Sequence, residues 1–249
     1  ELLDGYVQKQ SYGGMSFFGD AAGARLTGDE KILYDAVKPF IKKLASGERT
    51  SAVIAVGKTV DIGEDHYAVD ADANFTGSDF GQESLDRVVN ALLSDMPFEL
   101  YWYDKTAGCV LEQIVGENLI WVRANFYVAD NYGDPAGFNV NADKAAAAVS
   151  AADKAKAIIT KYAGKSDVQK LIGYKDEICA LVSYDDAAAG SGNYSTDNDP
   201  WQLVHVFDGN TSTNVVCEGY SKAFMYLCDM TDFSGDVACN LATGGMNGG

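Results

Sequence analysis

Apolar positions recur along this chain with two periods, and the changes between them mark out its elements. In LTGDEKILYDAVKPFIKKLASGE, Leu33, Val37, Phe40, Ile41 and Leu44 fall three or four residues apart, the spacing of one helix face. Thr27 and Glu30 stand ahead of them at capping-box spacing, Pro39 predicts a kink, and Gly47 predicts the end. TSAVIAVG then reads as a strand, and SLDRVVNALLSDMP as a short helix stopped by Pro97. FELYWYD, GCVLEQIV and NLIWVRANFYVAD are rich in aromatic and β-branched residues and predict three strands of an antiparallel meander. After a turn region at 131–141, DKAAAAVSAADKAKAIITKYAGK predicts a helix ending at Gly164, because alanine is the strongest helix former. SDVQKLIGYKDEICALVSYD predicts another, capped by Ser166, with Leu171, Ile172, Ile178, Cys179 and Val182 facing inward. A polar loop is expected over 185–200. A last helix is expected after Cys217, with Thr213 and Asn214 as caps and Tyr220, Ala223, Phe224 and Leu227 buried.

Helices set apart from a block of strands define an α+β class. The expected division is an irregular, glycine-containing lead at 1–26, an α+β region at 27–165, and a last region at 166–249. A chain of 249 residues with 47% hydrophobic positions can bury a sizeable core. Its 36 acidic against 19 basic residues give a formal charge of -17. That surface repels phosphate backbones and anionic lipid heads, so nucleic acid is not expected as a partner. The acidity reads instead as the solubility of a secreted or cell-surface protein. No apolar run is long enough to span a bilayer, and a start at Glu1 rather than Met reads as trimming.

Candidate chemistry is sparse. There is no Walker-type loop, no G-x-S-x-G elbow and no dinucleotide fingerprint, and the terminal TGGMNGG lacks the Lys-Ser/Thr that grips phosphates. Asp70, Asp72 and Asn74 fit the first ligand positions of a calcium loop. Phe75 then stands where glycine is required and Gly81 where the bidentate Glu belongs, so a solvated loop is the better reading. Two histidines, His66 and His205, and five scattered cysteines offer no zinc spacing. No metal and no cofactor is expected, and most of the thiols are expected to be free and buried.

Cys217 is the exception that raises a question, as it falls where the polar TSTN gives way to a helical pattern. A thiol is nucleophilic as thiolate, which a helix N-terminus or an imidazolium favours, and the free N–H groups of a first turn can also receive an oxyanion. Gly219 would let a substrate approach closely, or would serve helix packing alone. The competing reading is a small core residue.

VCEGYSKAFMYLCDM resembles the nucleophile motif of the transglutaminase-like superfamily, in which Cys-x-Gly-Tyr opens a helix. KLIGYKDEICALVSYD is similar to the helix that precedes this motif in bacterial members, closed by Tyr-Asp. YDAVKPFIKKLASGERTSAVIAV and ALLSDMPFELYWYD are similar to N-terminal segments of secreted members. The resemblance implies a papain/transglutaminase-like cysteine-enzyme core, with an N-terminal helix and antiparallel strand extension, and Cys217 as nucleophile. It also implies a His and an Asp downstream, yet residues 218–249 contain no histidine, and Asp229, Asp232 and Asp236 follow too closely to match. The core is therefore expected to be incomplete at its C-terminus and this chain alone to be inactive, or else the protein is a relative without the chemistry. His205, in the alternating LVHVF, reads better as a packing residue than as a substitute base, and His66 is weaker still. Trp201 and Gln202 are candidates to line a cleft or donate to an oxyanion.

The leading expectation is acyl transfer, or amide or peptide hydrolysis, through a Cys217 thioester. The substrate would be a protein or peptide, with cell-wall peptide one candidate. The alternative is a noncatalytic surface module for cell-wall or host polymers, with Tyr101, Trp102, Tyr103, Trp121 and Tyr127 as a ligand face, although core packing explains those rings better.

Overall fold

The first expected helix forms as α1 (Gly28–Ala45) in a computed structural model that describes residues 22–57, 68–70, 75–77, 80–116, 119–133, 137–191 and 201–241. Leu33, Tyr34, Val37, Ile41 and Leu44 are its buried face. Gly47, at φ 76°, takes the left-handed conformation that ends a helix cheaply only in glycine. The capping box at its start does not close. Glu30 reaches across to Arg87 of the next helix at 2.6 Å, and Asp29 takes the N–H groups of Thr76 and Gly77. That next helix, α2 (Gln82–Asp95), lies beside α1 and presents Leu85, Val88, Val89, Ala91 and Leu92 to the core.

β1 (Val53–Gly57), β2 (Ala68–Asp70), β3 (Cys109–Gly116) and β4 (Leu119–Phe126) make one sheet in the order β2-β1-β4-β3. β1 runs parallel to β2 and antiparallel to β4, and β3 and β4 form a hairpin from Cys109↔Phe126 to Gly116↔Leu119. Ile54, Val56, Val122 and Ala124 are fully buried on one face. The other face carries Arg123, paired with Glu112 at 2.7 Å. The side-chain amide of Gln82 bonds Cys109 O and Leu111 N, tying α2 to β3.

The meander expectation is corrected here. FELYWYD is no strand, and β1 rather than this segment completes the antiparallel trio. Its backbone coils through successive turns, with Leu100 N–H donating to Met96 O, Tyr101 N–H to Phe98 O and Tyr103 N–H to Leu100 O. Coiling lets Leu100, Tyr101, Trp102 and Tyr103 all be buried, which alternation in a half-exposed strand would forbid. The first three rings of the supposed ligand face thus belong to the core, and burial pushes the Tyr101 phenol up to about 12. Tyr127 packs on Phe138 at 4.6 Å between ring centres, and the Trp121 side chain lies outside what is described.

Two further helices extend this core. α3 (Ala142–Tyr162) is capped by the Asn141 side chain and buries Ala148, Ala151, Ala155 and Ile158 along one stripe. α4 (Asp167–Leu181) opens on the expected Ser166, which closes a full capping box with Gln169. Its inward face differs from the expectation. Lys170, Gly173, Tyr174 and Ile178 are buried, whereas Ile172 and Cys179 are exposed. Gly173 sets that face, because a Cβ there would sit 2.1 Å from the Tyr162 ring of α3. The 185–200 stretch begins with a short helix, α5 (Asp186–Ser191). The architecture is α+β. His66, Asp72, Asn74, residues 1–21 of the expected lead and the terminal TGGMNGG lie outside the described residues.

Asp229, near the end of the last helix among the described residues, feels the charges of Asp95 and Glu99. Burial, then repulsion by those two carboxylates, pushes its carboxyl up to about 6. Burial also raises Glu99, against Lys42 and Lys38. A carboxyl raised above its unfolded value contributes stability in acid, and that contribution is lost as pH rises from about 4 through about 6. Asp229→Asn is therefore expected to stabilise the protein by about 1 kcal/mol at neutral pH, after discounting for solvent screening, and to change little near pH 4. Urea unfolding at both pH values checks this, and an equal gain at both would contradict it.

Candidate active site

Two short strands bring the cysteine region together. β5 (Ser183–Tyr184) leaves α4 and pairs parallel with β6 (Asn214–Val215), in the register Ser183↔Asn214 and Tyr184↔Val215. Asp185 N–H adds a bond to Val215 O at 3.1 Å, and its carboxylate caps α5 through Ala188 N–H. One residue past β6 the chain enters α6 (Cys217–Asp229). Thr213 and Asn214 do not cap it, contrary to expectation. Pairing to β5 keeps the backbone extended up to Val216, which is the N-cap and has no polar side chain. Thr213 Oγ1 turns instead to Asp208 Oδ2 at 3.0 Å.

Cys217 is thus the first helical residue, and its side chain is exposed. Tyr184 meets it from β5. Desolvation, followed by the nearby Cys217 thiol, raises the phenol above its ordinary value. Tyr184 is itself stacked on Tyr220, with ring centres 6.2 Å apart, and the Tyr220 hydroxyl donates to Val182 O at 2.9 Å.

The next residue anchors the helix. Glu218 Oε2 lies 2.6 Å from Lys105 Nζ, and its Oε1 lies 2.8 Å from Lys222 Nζ, one turn on. Lys222 is 1% exposed, inside α6 rather than on its surface. Both ammonium groups also sit over the Trp201 ring, Lys222 at 4.7 Å and Lys105 at 5.2 Å from its centre. Burial depresses Lys222, with Glu218 opposing it. Burial works against the Glu218 charge too, but Lys222 and Lys105 outweigh it and hold the carboxyl below its ordinary value. Gly219, Lys222, Ala223, Met225, Leu227 and Cys228 are buried, while Tyr220 and Phe224, expected inside, are only partly so.

An exposed stripe runs from Cys217 to Ser221. It leads to a cleft of about 380 Å³ lined by Lys175, Ile178 and Cys179 of α4, Tyr220, Ser221, Phe224 and Met225 of α6, and residues 239–241. Among the described residues its lining has one charged side chain, Lys175, and no carboxylate.

The other sequence candidates fall elsewhere. His205 lies in a 3-10 turn (Leu203–Val206), not in a strand. Its Nδ1 is 3.6 Å from Asp208 Oδ2 and its Nε2 is buried without a hydrogen-bond partner, so it is a packing residue, and among the described residues no hydrogen bond or ion pair joins it to Cys217. Asp208 is held below its ordinary value: burial opposes its charge, and His205, Asn210 N–H and Thr213 outweigh burial. Gln202 is fully buried, and its amide donates to Leu100 O and Tyr101 O at 3.2 and 2.8 Å, so it reaches no cleft. Trp201 is 1% exposed and lies under the two lysines. Of the five thiols, Cys109 and Cys228 are buried as expected, Cys239 is half-buried, and Cys179 and Cys217 are exposed. Tyr184, Lys105 and Lys222 were not singled out by the sequence. The Tyr-Asp after α4 was the available signal for Tyr184.

Among the described residues no group of three His, Cys, Asp or Glu side chains could hold a metal ion, and no helix is long and apolar enough to cross a membrane. No protein-family model matches this sequence, and no curated protein matches it.

Glu218→Gln removes half of a largely desolvated pair and leaves the Lys222 ammonium buried. We expect a loss of about 2–4 kcal/mol in urea unfolding, with most of it recovered in the double variant Glu218→Gln/Lys222→Met. Additive losses in the double variant would disprove the pairing.

Proposed function

We propose that Cys217 is the nucleophile of a transglutaminase-like acyl-transfer or amide-hydrolysing site. The observation that carries this reading is the exposure of its thiol at the first position of α6, where a structural cysteine would be packed as Cys109 and Cys228 are. First-turn N–H groups have no intrahelical acceptor, so they are available to an oxyanion formed beside the sulfur. In the reaction, Sγ attacks the carbon of a side-chain carboxamide or peptide carbonyl. The amine or ammonia leaves with a proton and a thioester remains, which water or a second amine then cleaves. The substrate is a protein or peptide, presented to a secreted or cell-surface protein of net charge -17.

The reaction needs a base to take the thiol proton and return it to the leaving amine. His205 is turned to Asp208, His66 lies outside the described residues, and residues 218–249 contain no histidine, so the reading takes its imidazole from a segment downstream of residue 249, where the resemblance places it. A papain-like core completed by that segment is part of the same proposal.

The test uses the protein encoded by the full reading frame, with a glutamine-containing protein substrate and a primary amine probe. Ammonia release and amine incorporation are followed together. Cys217→Ala is expected to remove at least about 10³-fold of either activity while leaving the melting temperature unchanged, and wild type is expected to show a trapped acyl adduct on Cys217 by mass spectrometry. Full activity in Cys217→Ala, or no adduct and no turnover in wild type with the whole frame expressed, would overturn the reading.

A further inference from the structure

The sheet face opposite Ile54, Val56, Val122 and Ala124 is built from the alternate residues of its strands. Register sets Val53, Asn125 and Val110 in one row across β1, β4 and β3, and Ala55, Arg123 and Glu112 in the next. The first row is short, and longer side chains flank it. On one side stands the Arg123–Glu112 pair, with Nη1 and Oε2 2.7 Å apart. On the other stand the rings of Tyr127 and Phe138, 4.6 Å apart between centres. A short row between two long ones leaves a trough, and one of about 400 Å³ opens there, with Ser51 completing its lining. That volume is in the range of small-molecule sites.

The trough is fixed before any ligand arrives. Asn125 is 8% exposed, and its amide donates to Val110 O at 3.1 Å. Arg49, buried beside β1, donates to Ser51 O at 2.7 Å and to Val53 O at 2.6 Å. Ala52 N–H donates to Phe138 O at 2.8 Å, and a bridge joins Ser51 to Asn139, so the Phe138 wall is tied to the start of β1. Val110 stays exposed although it is apolar. Arg123 Nε is buried without a hydrogen-bond partner, a donor that a ligand oxygen in the trough would satisfy after a small turn of the guanidinium.

Charge selects among ligands. Arg123 and Glu112 are the charged residues of the lining, and they neutralise each other. An anion would have to displace Glu112 from Arg123 on a chain of net charge -17, and a cation would have to displace Arg123 from Glu112. A wholly apolar ligand would strip water from the pair and return no hydrogen bond. A neutral ligand with hydroxyl groups can bond both members without separating them. An apolar face on the same ligand would cover Val53, Val110 and the aromatic wall. A pyranose joins those two properties, with hydroxyls around its rim and C–H groups on its faces.

We propose that this trough is a binding site for a hexose unit of an uncharged oligo- or polysaccharide. No residue of the Cys217 site lines it, so the inference stands apart from the proposed activity.

The 249-residue chain is screened on an array of neutral glucans, mannans, galactans and chitooligosaccharides, with acidic glycans alongside, and the oligosaccharides that bind are titrated by calorimetry. At least one neutral oligosaccharide is expected to bind, with an affinity that a roughly ten-fold change in salt leaves unaltered. Glu112→Ala removes an acceptor and Val110→Trp fills the floor, both at exposed positions. Each is expected to weaken binding by at least about ten-fold at an unchanged melting temperature. No binding to any neutral glycan, preference for the acidic glycans, loss of binding with salt, or full affinity in either variant would each overturn the inference.

Discussion

The burial of one ammonium group governs how the site is built. Lys222 lies in the interior of α6, where an isolated charge would be several kcal/mol unfavourable, so its position demands a counter-charge and a polarisable face. Glu218 supplies the first, one turn earlier on the same helix, and Trp201 the second. Glu218 also pairs with Lys105, which follows the coiled aromatic segment at 98–103, and Gln202 bonds two carbonyls of that segment. The charge that α6 must satisfy is therefore also the attachment that fixes its first turn to the rest of the molecule. Phe98 stacked on Tyr226 at 4.5 Å adds an apolar attachment near the other end of the helix.

That attachment decides what Cys217 does. In a helix, neighbouring residues point about 100° apart. With Glu218 drawn inward toward Lys105 and Lys222, the residue before it must point elsewhere, and the space it faces is solvent beside Tyr184. The thiol is exposed because its neighbour is anchored. Tyr184 is held by a separate device, the β5–β6 pair, so the two sides of the thiol are set by different parts of the chain that meet only in the folded protein.

The elements legible in the sequence were those whose signal is local. The periodic stripe of α1, the alanine run of α3, the Ser166 cap and the β3–β4 hairpin all form as their residues dictate. Departures occurred where a distant partner overrode a local preference. Glu30 left its capping box for Arg87, and pairing of β6 with β5 kept the chain extended past the expected caps Thr213 and Asn214. FELYWYD has strand composition, yet burial of three successive rings, Tyr101, Trp102 and Tyr103, favours a coil with internal turn bonds over an alternating strand. Lys222 could not be read as buried, because its partner Trp201 lies beyond any helical spacing. Cys217 was legible as a residue at a helix start, but its exposure was not, since that depends on Glu218 and Lys105, which are 113 residues apart.

These contacts also limit how chemistry can reach the sulfur. On one side Tyr184 of β5 lies beside the thiol. On another, Glu218 and its two lysines fill the space under Trp201. The remaining approach runs over the stripe toward Ser221 and the cleft walled by Cys239 to Leu241. A base serving Cys217 must arrive over that stripe, or displace Tyr184 from the sulfur. The segment that follows α6 is bound down along α4 and α6 by Asp167, Lys170 and Thr231, so whatever the chain places after Leu241 starts from the rim of the same cleft. A firm hold on that rim narrows the positions a following segment can take.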